Sequence, residues 1–125
     1  MTVTQLDLPM PGGTCDALLA LPDATGPHPG VLFVMDAIGL RPQLATMAER
    51  IASWGYAVLA PNVYWRNGRQ PLVDPALFTV ENAIRRGAVV TDLLRSLTPA
   101  RWAADGPAYL EHLARVAPVT RARTR

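Results

Sequence analysis

The segment at residues 30–60 limits the possible folds more than any other part of the sequence. It begins with a continuous apolar run at residues 30–35, which is typical of a strand covered on both faces. Apolar residues then recur at helical spacing over residues 43–54, and residues 56–60 form a second apolar run. Strand, helix and strand in this order predict a right-handed parallel crossover.

The flanking segments complete an α/β pattern. Residues 2–8 alternate between apolar and polar side chains and predict a strand, with residues 15–21 as its hairpin partner. Helical spacing predicts a helix over residues 80–97. Thr98-Pro99 suits an N-cap followed by Pro at the first helical position, which predicts a further helix over residues 99–115, kinked or divided at Gly106-Pro107. We therefore expect an α/β fold with a mostly parallel sheet, an N-terminal antiparallel hairpin and helices on both faces.

Length and composition indicate one domain with a basic end. A chain of 125 residues buries enough surface for one core, which we place at residues 1–115. The remaining residues, 116–125, show no periodicity and are expected to form a disordered basic tail. All 12 basic residues are Arg, and the last 13 residues hold four of them and no acid, so the net charge of +2 comes from this end.

Several classes of protein are disfavoured by what the sequence lacks. It has no apolar run long enough for a membrane span, its first 13 residues show neither the basic nor the apolar region typical of a secretory leader, and one cysteine forms no internal disulfide. We therefore expect a cytoplasmic protein without membrane association. The arginines, including Arg85-Arg86, are not interleaved with aromatic residues, so we expect no nucleic-acid partner.

The loop at residues 36–42 is the first candidate site. It follows the first buried strand and leads into a helix, and ligands of open α/β sheets bind outside the carboxyl ends of the strands. Main-chain N–H groups in such a loop can face a reacting oxygen. The loop therefore predicts half of an oxyanion hole.

Residues 28–66, HPGVLFVMDAIGLRPQLATMAERIASWGYAVLAPNVYWR, resemble the first half of the dienelactone hydrolase family. The shared pattern is a buried strand, an acidic residue, a small apolar pair, Gly-Leu and a helix. Gly-Tyr, a second strand, Pro and a hydrophobic-Tyr-x-Arg ending follow. The resemblance implies part of an α/β-hydrolase sheet, a small-molecule ester or lactone substrate, and no metal or organic cofactor.

The resemblance also implies roles for two residues. Asp36 stands where the family has an acidic residue, usually Glu, that contacts the nucleophile, and the N–H of Ala37 stands at the first oxyanion-hole donor. Asp is one methylene shorter than Glu, and Asp also suits a turn without any catalytic role. Both interpretations of Asp36 stay open at this point.

The family's catalytic residues are expected to be missing. In α/β-hydrolases the nucleophile, acid and base follow in the order Ser or Cys, Asp or Glu, His, beyond the helices reached here, and the sequence has no Gly-x-Ser-x-Gly or Gly-x-Cys-x-Gly. The family's nucleophile is Cys, or Ser in some relatives. We therefore expect a truncated N-terminal half with little or no activity of its own.

Five other residues have alternative interpretations. Cys15 lies in an early strand with no neighbouring His, which favours an inert structural thiol over a nucleophile. His28 and His112 are expected on the surface. Tyr64 and Arg66 follow the second buried strand, so they either line a substrate pocket or make a local packing contact and a surface ion pair.

Two functions are compatible with these features. The first is ester or lactone hydrolysis of the dienelactone hydrolase type, incomplete in this chain. The second is a non-catalytic interaction module that associates with itself through an exposed sheet edge.

Overall fold

The computed structural model describes residues 2–116, which form a four-stranded sheet with helices packed on it. The strands are β1 (Thr2–Met10), β2 (Gly13–Leu21), β3 (Gly30–Leu32) and β4 (Ala57–Pro61), and the helices are α1 (Pro42–Ser53), α2 (Ala83–Ser96) and α3 (Pro99–Val116). Short 3-10 turns at Trp65–Asn67, Pro75–Leu77 and Val80–Asn82 lie between β4 and α2. No helix in this part of the chain has the length and apolarity needed to cross a membrane.

The predicted hairpin and the predicted parallel crossover are both present. β1 and β2 pair antiparallel around Gly12, whose φ of 90° is the left-handed conformation that a tight turn requires. β3 and β4 pair parallel, with Val31 opposite Val58, and α1 connects them. The hydrophobic patterns therefore located these elements correctly.

β3 is shorter than the apolar run at residues 30–35 predicts. Its last bond to β4 runs from the Phe33 N–H to the Leu59 carbonyl, 2.8 Å. The next bond of a parallel ladder would need an N–H at position 61, and Pro61 has none. The chain therefore leaves the sheet, and Val34 is 44% exposed.

The sheet is mixed, so the prediction of a mostly parallel sheet is wrong for the described residues. The strand order is β1-β2-β4-β3, and two of its three pairings are antiparallel. The reason is that β2 docks directly on β4, with Ala17 opposite Pro61, instead of leaving that edge to another parallel strand. The crossover itself supplies one parallel pair.

Helices cover both faces of the sheet, as predicted. On one face Val58 and Ala20 contact Ala48 and Ala52 of α1, whose small side chains let the helix lie close to the strands. On the other face Leu59 shares a larger core with residues of α2 and α3. All five residues of β4 are buried, as expected for a central strand.

α3 is one continuous helix that contains Pro107, so the predicted division at Gly106-Pro107 does not occur. Four side chains on its inward side are buried: Asp105, Tyr109, His112 and Leu113. The free energy gained by burying these side chains exceeds the cost of the helical hydrogen bond that Pro107 removes. The helix includes Val116, which was assigned to the tail, and residues 117–125 of that predicted tail lie outside the described residues.

Candidate functional site

The predicted oxyanion loop contains a β-turn at residues 36–39. The Gly39 N–H donates to the Asp36 carbonyl at 3.2 Å, and neither residue between them has a positive φ, which indicates a type I turn. Asp at the first position and Gly at the fourth suit this turn. Gly39 has a φ of 108°, a conformation that a residue with a Cβ rarely adopts.

The Asp36 carboxylate is held inside its own loop. Its Oδ1 accepts hydrogen bonds from the N–H groups of Ile38 (3.1 Å) and Gly39 (3.3 Å). Arg41 binds both carboxylate oxygens at 2.7 Å, and this pairing is the main reason why the pKa of Asp36 is lowered. Two amides of the loop are therefore used internally and cannot serve a substrate oxygen. Contact between Asp36 and a nucleophile stays a prediction.

The N–H of Ala37 is the amide that the turn leaves open. No acceptor lies within hydrogen-bond range of it in the described part of the chain. In a trans peptide the C=O and N–H point in opposite directions, and the Asp36 C=O points into the turn toward Gly39. The Ala37 N–H therefore points out of the turn. The structure therefore shows an open amide at Ala37, and its role as an oxyanion-hole donor stays a prediction.

Tyr64 fixes the other side of Ala37. Its hydroxyl donates to the Ala37 carbonyl at 3.1 Å, and its side chain is only 2% exposed. Since the following Ile38 N–H is bound by Asp36, the Ala37–Ile38 peptide is held at both ends. Tyr64 thus connects the loop after β3 to the segment after β4.

Asn62 organises the segment after β4. It is fully buried, and its amide nitrogen donates to Asp16 Oδ1 and to the Gly68 carbonyl, both at 2.9 Å. Its oxygen accepts from the Tyr64 N–H at 3.0 Å and from Gln70 Nε2 at 2.9 Å. The Asn62 amide thus bonds one residue of β2 and three residues of the loop at 62–70, and these four hydrogen bonds fix the shape of the loop.

Gln70 joins the Asn62 network to the turn. A Cβ on Gly39 would lie 2.5 Å from the Gln70 Nε2 atom, so the Gln70 amide packs directly against the turn backbone. The Gln70 N–H also donates to Asp16 Oδ2 at 3.0 Å. Neither Asn62 nor Gln70 was predicted as a site residue from the sequence. The available signal for Asn62 was a polar residue directly after a buried strand.

Arg66 is engaged by α3. Its guanidinium forms two 2.7 Å hydrogen bonds to the Asp105 carboxylate and lies 4.4 Å from the centre of the Trp65 ring. Trp65 Nε1 donates to the same carboxylate at 3.1 Å. Asp105, whose side chain is 4% exposed, therefore anchors α3 to the segment after β4. Sequence analysis did not single out Asp105.

A groove of about 480 Å³ lies beside the turn. Ile38 and Leu40 contribute to its wall on the loop side, and Leu6 and Leu18 of the hairpin contribute on the sheet side. Tyr64 and Arg66 are not among its lining residues. The structure gives both of them local contacts, and their predicted substrate-binding role stays a prediction.

The other nucleophile and base candidates are not arranged for catalysis. Cys15 is fully buried and donates to the Asn62 carbonyl at 3.4 Å, and burial raises the pKa of its thiol to about 12. His28 Nε2 bonds the Ala24 carbonyl at 2.8 Å. These contacts agree with an inert thiol at Cys15 and a local structural role for His28.

The expectation that His112 lies on the surface is wrong. It is 8% exposed, and its Nε2 bonds the Pro9 carbonyl at 2.7 Å. α3 lies with Tyr109 and Leu113 against the sheet, and this orientation also turns His112 inward. Among residues 2–116 there is no group of three or more His, Cys, Asp or Glu side chains placed to hold a metal ion.

Comparisons with known proteins agree with the resemblance found in the sequence. The model of the dienelactone hydrolase family matches residues 15–118. Two proteins that carry the name carboxymethylenebutenolidase are similar over about half of this chain. The one from Methylorubrum extorquens is 34% identical over 64 residues, 51% of this chain and 22% of the relative. The one from Yersinia pestis is 36% identical over 62 residues, 49% of this chain and 23% of the relative.

Solved structures show the same fold over nearly the whole chain. A protein from Klebsiella pneumoniae named as a dienelactone hydrolase superposes with a TM-score of 0.73 at 25% identity, covering 93% of this chain and 45% of that one. A dienelactone hydrolase-like promiscuous phosphotriesterase from metagenomic libraries gives 0.70 at 22% identity, covering 95% and 45%. The chain therefore spans less than half the length of these structures.

Proposed function

The chain belongs to the dienelactone hydrolase family, and from this we propose that it supplies the oxyanion-binding half of an ester- or lactone-hydrolysing site. The observation that carries the proposal is the open N–H of Ala37, a residue in the loop after β3 whose carbonyl accepts a hydrogen bond from Tyr64. A main-chain N–H in a fixed turn needs no reorganisation when charge develops on the substrate oxygen.

The proposed role of Ala37 is specific to the transition state. As a nucleophile attacks an ester or lactone carbonyl, negative charge collects on the carbonyl oxygen, and the Ala37 N–H donates to it. The apolar groove is lined by Ile38 and Leu40 and not by Ala37 itself, and we infer that it takes the uncharged part of such a substrate beside the donor. The proposal includes a small-molecule substrate and a cytoplasmic location.

The same proposal holds that residues 2–116 do not catalyse the reaction alone. Cys15 is fully buried, and its thiol pKa of about 12 leaves almost no thiolate at neutral pH. Both histidines bond main-chain carbonyls, and neither forms a hydrogen bond with Cys15 in the described part of the chain. The nucleophile must therefore come from a segment other than the one described.

A chimera tests the role of Ala37. Residues 2–116 would replace the equivalent half of the Klebsiella pneumoniae protein, and hydrolysis of an activated aryl ester would be followed. We expect Ala37→Pro to lower kcat by about 100- to 1000-fold with little change in KM, because it removes the donor. Proline suits the second position of a type I turn, so the turn is preserved. Ala37→Gly keeps the N–H and serves as the matched control.

Two results would contradict the proposal. One is a chimera whose Ala37→Pro variant keeps kcat within about twofold of the Ala37→Gly variant, because loss of a working oxyanion donor lowers kcat by much more than twofold. The other is turnover by the isolated chain that clearly exceeds the buffer rate and survives Cys15→Ala, since that would place a complete catalytic site in this chain.

One observation favours the second candidate function, a non-catalytic interaction module. β3 is the last strand in the sheet order, so one of its edges has no partner strand among residues 2–116. An open strand edge pairs readily with another chain. β3 comprises only three residues, however, which makes this edge a small surface.

A further inference from the structure

The outer face of α2 leaves large apolar side chains in solvent. Ile84 is 89% exposed and Leu94 is 49% exposed, and Val80, in the 3-10 turn that leads into the helix, is 91% exposed. The opposite side of α2 faces the core through Leu93. Val80 and Ile84 are four residues apart in sequence, and exposed apolar neighbours of this kind are typical of an interaction surface, whereas Leu94 lies ten residues beyond Ile84.

A row of charges runs along α2 on the side that adjoins Ile84. Residues 85, 88, 92 and 95 of α2 repeat at intervals of three and four, which places them on one side of the helix. Glu81, in the 3-10 turn Val80–Asn82 just before α2, extends the row at its N-terminal end. The row reads Glu81, Arg85, Ala88, Asp92, Arg95. None of its four charged side chains forms an ion pair or hydrogen bond within the described residues.

When the row is laid against a second copy running in the opposite direction, each positive charge meets a negative one. Read forward from Glu81 the row is negative, positive, neutral, negative, positive, and read backward from Arg95 it is positive, negative, neutral, positive, negative. We propose that α2 pairs antiparallel with α2 of a second copy of this chain, with the two-fold axis at Ala88. A two-fold interface requires a surface that is complementary to itself in this way.

The antiparallel arrangement pairs every charge in the row. Arg85 lies opposite the partner's Asp92, and Glu81 lies opposite the partner's Arg95, each pair occurring twice by symmetry. At the centre Gly87 and Ala88 have no bulky side chains, so the two helices can approach closely there. A parallel arrangement would instead place each charge against its own copy.

Two surfaces could mediate self-association, the charged face of α2 and the open edge of β3, and their dependence on the α2 charges differs. Strand pairing at β3 would depend on main-chain groups and would be indifferent to the charges of α2. Pairing through α2 would depend on them. Substitutions of exposed side chains on α2 therefore separate the two surfaces without altering the core.

Sedimentation velocity of the full chain over a range of concentrations tests the proposal. We expect a monomer–dimer equilibrium whose dimer fraction falls at high salt, since the ion pairs are exposed. Arg85→Asp and Asp92→Arg each replace two attractive pairs with like charges and should raise Kd by about tenfold. The double variant with both changes restores complementarity and should return Kd to near its original value.

Arg50→Asp is the control for net charge, because Arg50 is exposed on α1, away from the proposed interface. It should leave Kd unchanged. A second measurement uses Ala88→Cys, which should form a disulfide-linked dimer under mild oxidation faster than Thr46→Cys on α1. Cys15 is buried and does not compete.

Several results would overturn the proposal. A monomer at every concentration would exclude the dimer. A dimer that is unaffected by Arg85→Asp would place the association elsewhere, with the β3 edge as the first alternative. Failure of the double variant to recover, while Arg50→Asp behaves normally, would show that the charges do not pair as proposed. None of these results bears on hydrolysis, which depends on Ala37.

Discussion

Asp36 shows how one side chain can define a loop. Its carboxylate accepts two main-chain N–H groups and binds Arg41 through both oxygens, so four hydrogen bonds shape the turn. The side chain is nevertheless 49% exposed, which reduces the energetic value of the ion pair through solvent screening. Asp36 therefore organises the turn more than it stabilises the whole fold.

The charge of Asp36 predicts a pH-dependent contribution to stability. Arg41 lowers the pKa of Asp36 in the folded state, so the contribution is present above the unfolded pKa and is lost as pH falls through the folded value. Asp36→Asn keeps an acceptor for the turn but removes the charge. Near neutral pH we expect it to cost about 0.3–1 kcal/mol in urea unfolding, a difference that shrinks as pH falls below about 3.9, the unfolded pKa of Asp, and disappears below the lowered folded pKa.

Glu49→Gln on α1 provides the comparison for Asp36→Asn. The Glu49 carboxylate has no hydrogen bond or ion pair in the described part of the chain, so its neutralisation should change stability little at any pH. A deficit in Asp36→Asn that is the same at acidic and neutral pH would show that the ion pair with Arg41 is not its cause.

At the scale of single residues, the sequence predicted which loop a residue lies in better than it predicted the hydrogen bonds of its side chain. The resemblance located Ala37 and Asp36 in the loop after β3. It did not show that Asp36 would use the Ile38 and Gly39 amides, because side-chain capping of a turn depends on rotamers. Similarly, the inward position of His112 depends on how α3 is rotated on the sheet.

At the scale of elements, local chemistry decides where each segment ends. Pro61 lacks the N–H that β3 would need to continue, and Gly39 allows the sharp bend that leads toward α1. Hydrophobic patterns predicted the four strands, α1 and α2, and the Thr98-Pro99 cap predicted α3. It could not fix the end of β3, because that end is set by a proline in another strand.

Two glycine substitutions should have opposite effects on stability. Gly39→Ala forces a Cβ onto a residue with a φ of 108° and against the Gln70 amide, and we expect it to destabilise the chain by about 1–3 kcal/mol. Gly106→Ala lies in α3, where a Cβ meets nothing within 4 Å, and should stabilise by about 0.5–1 kcal/mol. Urea unfolding measures both. Equal effects of the same sign would contradict the special role of Gly39 in the turn.

At the scale of the whole molecule, the fold depends on pairings that are distant in sequence. The hairpin and the crossover are local patterns and were predicted. The docking of β2 on β4 joins residues about 40 positions apart, and no periodicity reports such a contact. The same holds for the Asn62 network, which links β2 to the segment after β4. The site therefore depends on long-range contacts that the sequence pattern does not encode visibly.

Amide hydrogen exchange at residues 37–39, followed by NMR on the isolated chain, tests the central claim most directly. Ile38 and Gly39 donate to Asp36, so their amides should exchange at least about tenfold more slowly than expected for an unstructured chain. The Ala37 amide has no acceptor and should exchange close to the unstructured rate. Protection of Ala37 equal to that of its two neighbours would contradict the open oxyanion donor on which the proposed function rests.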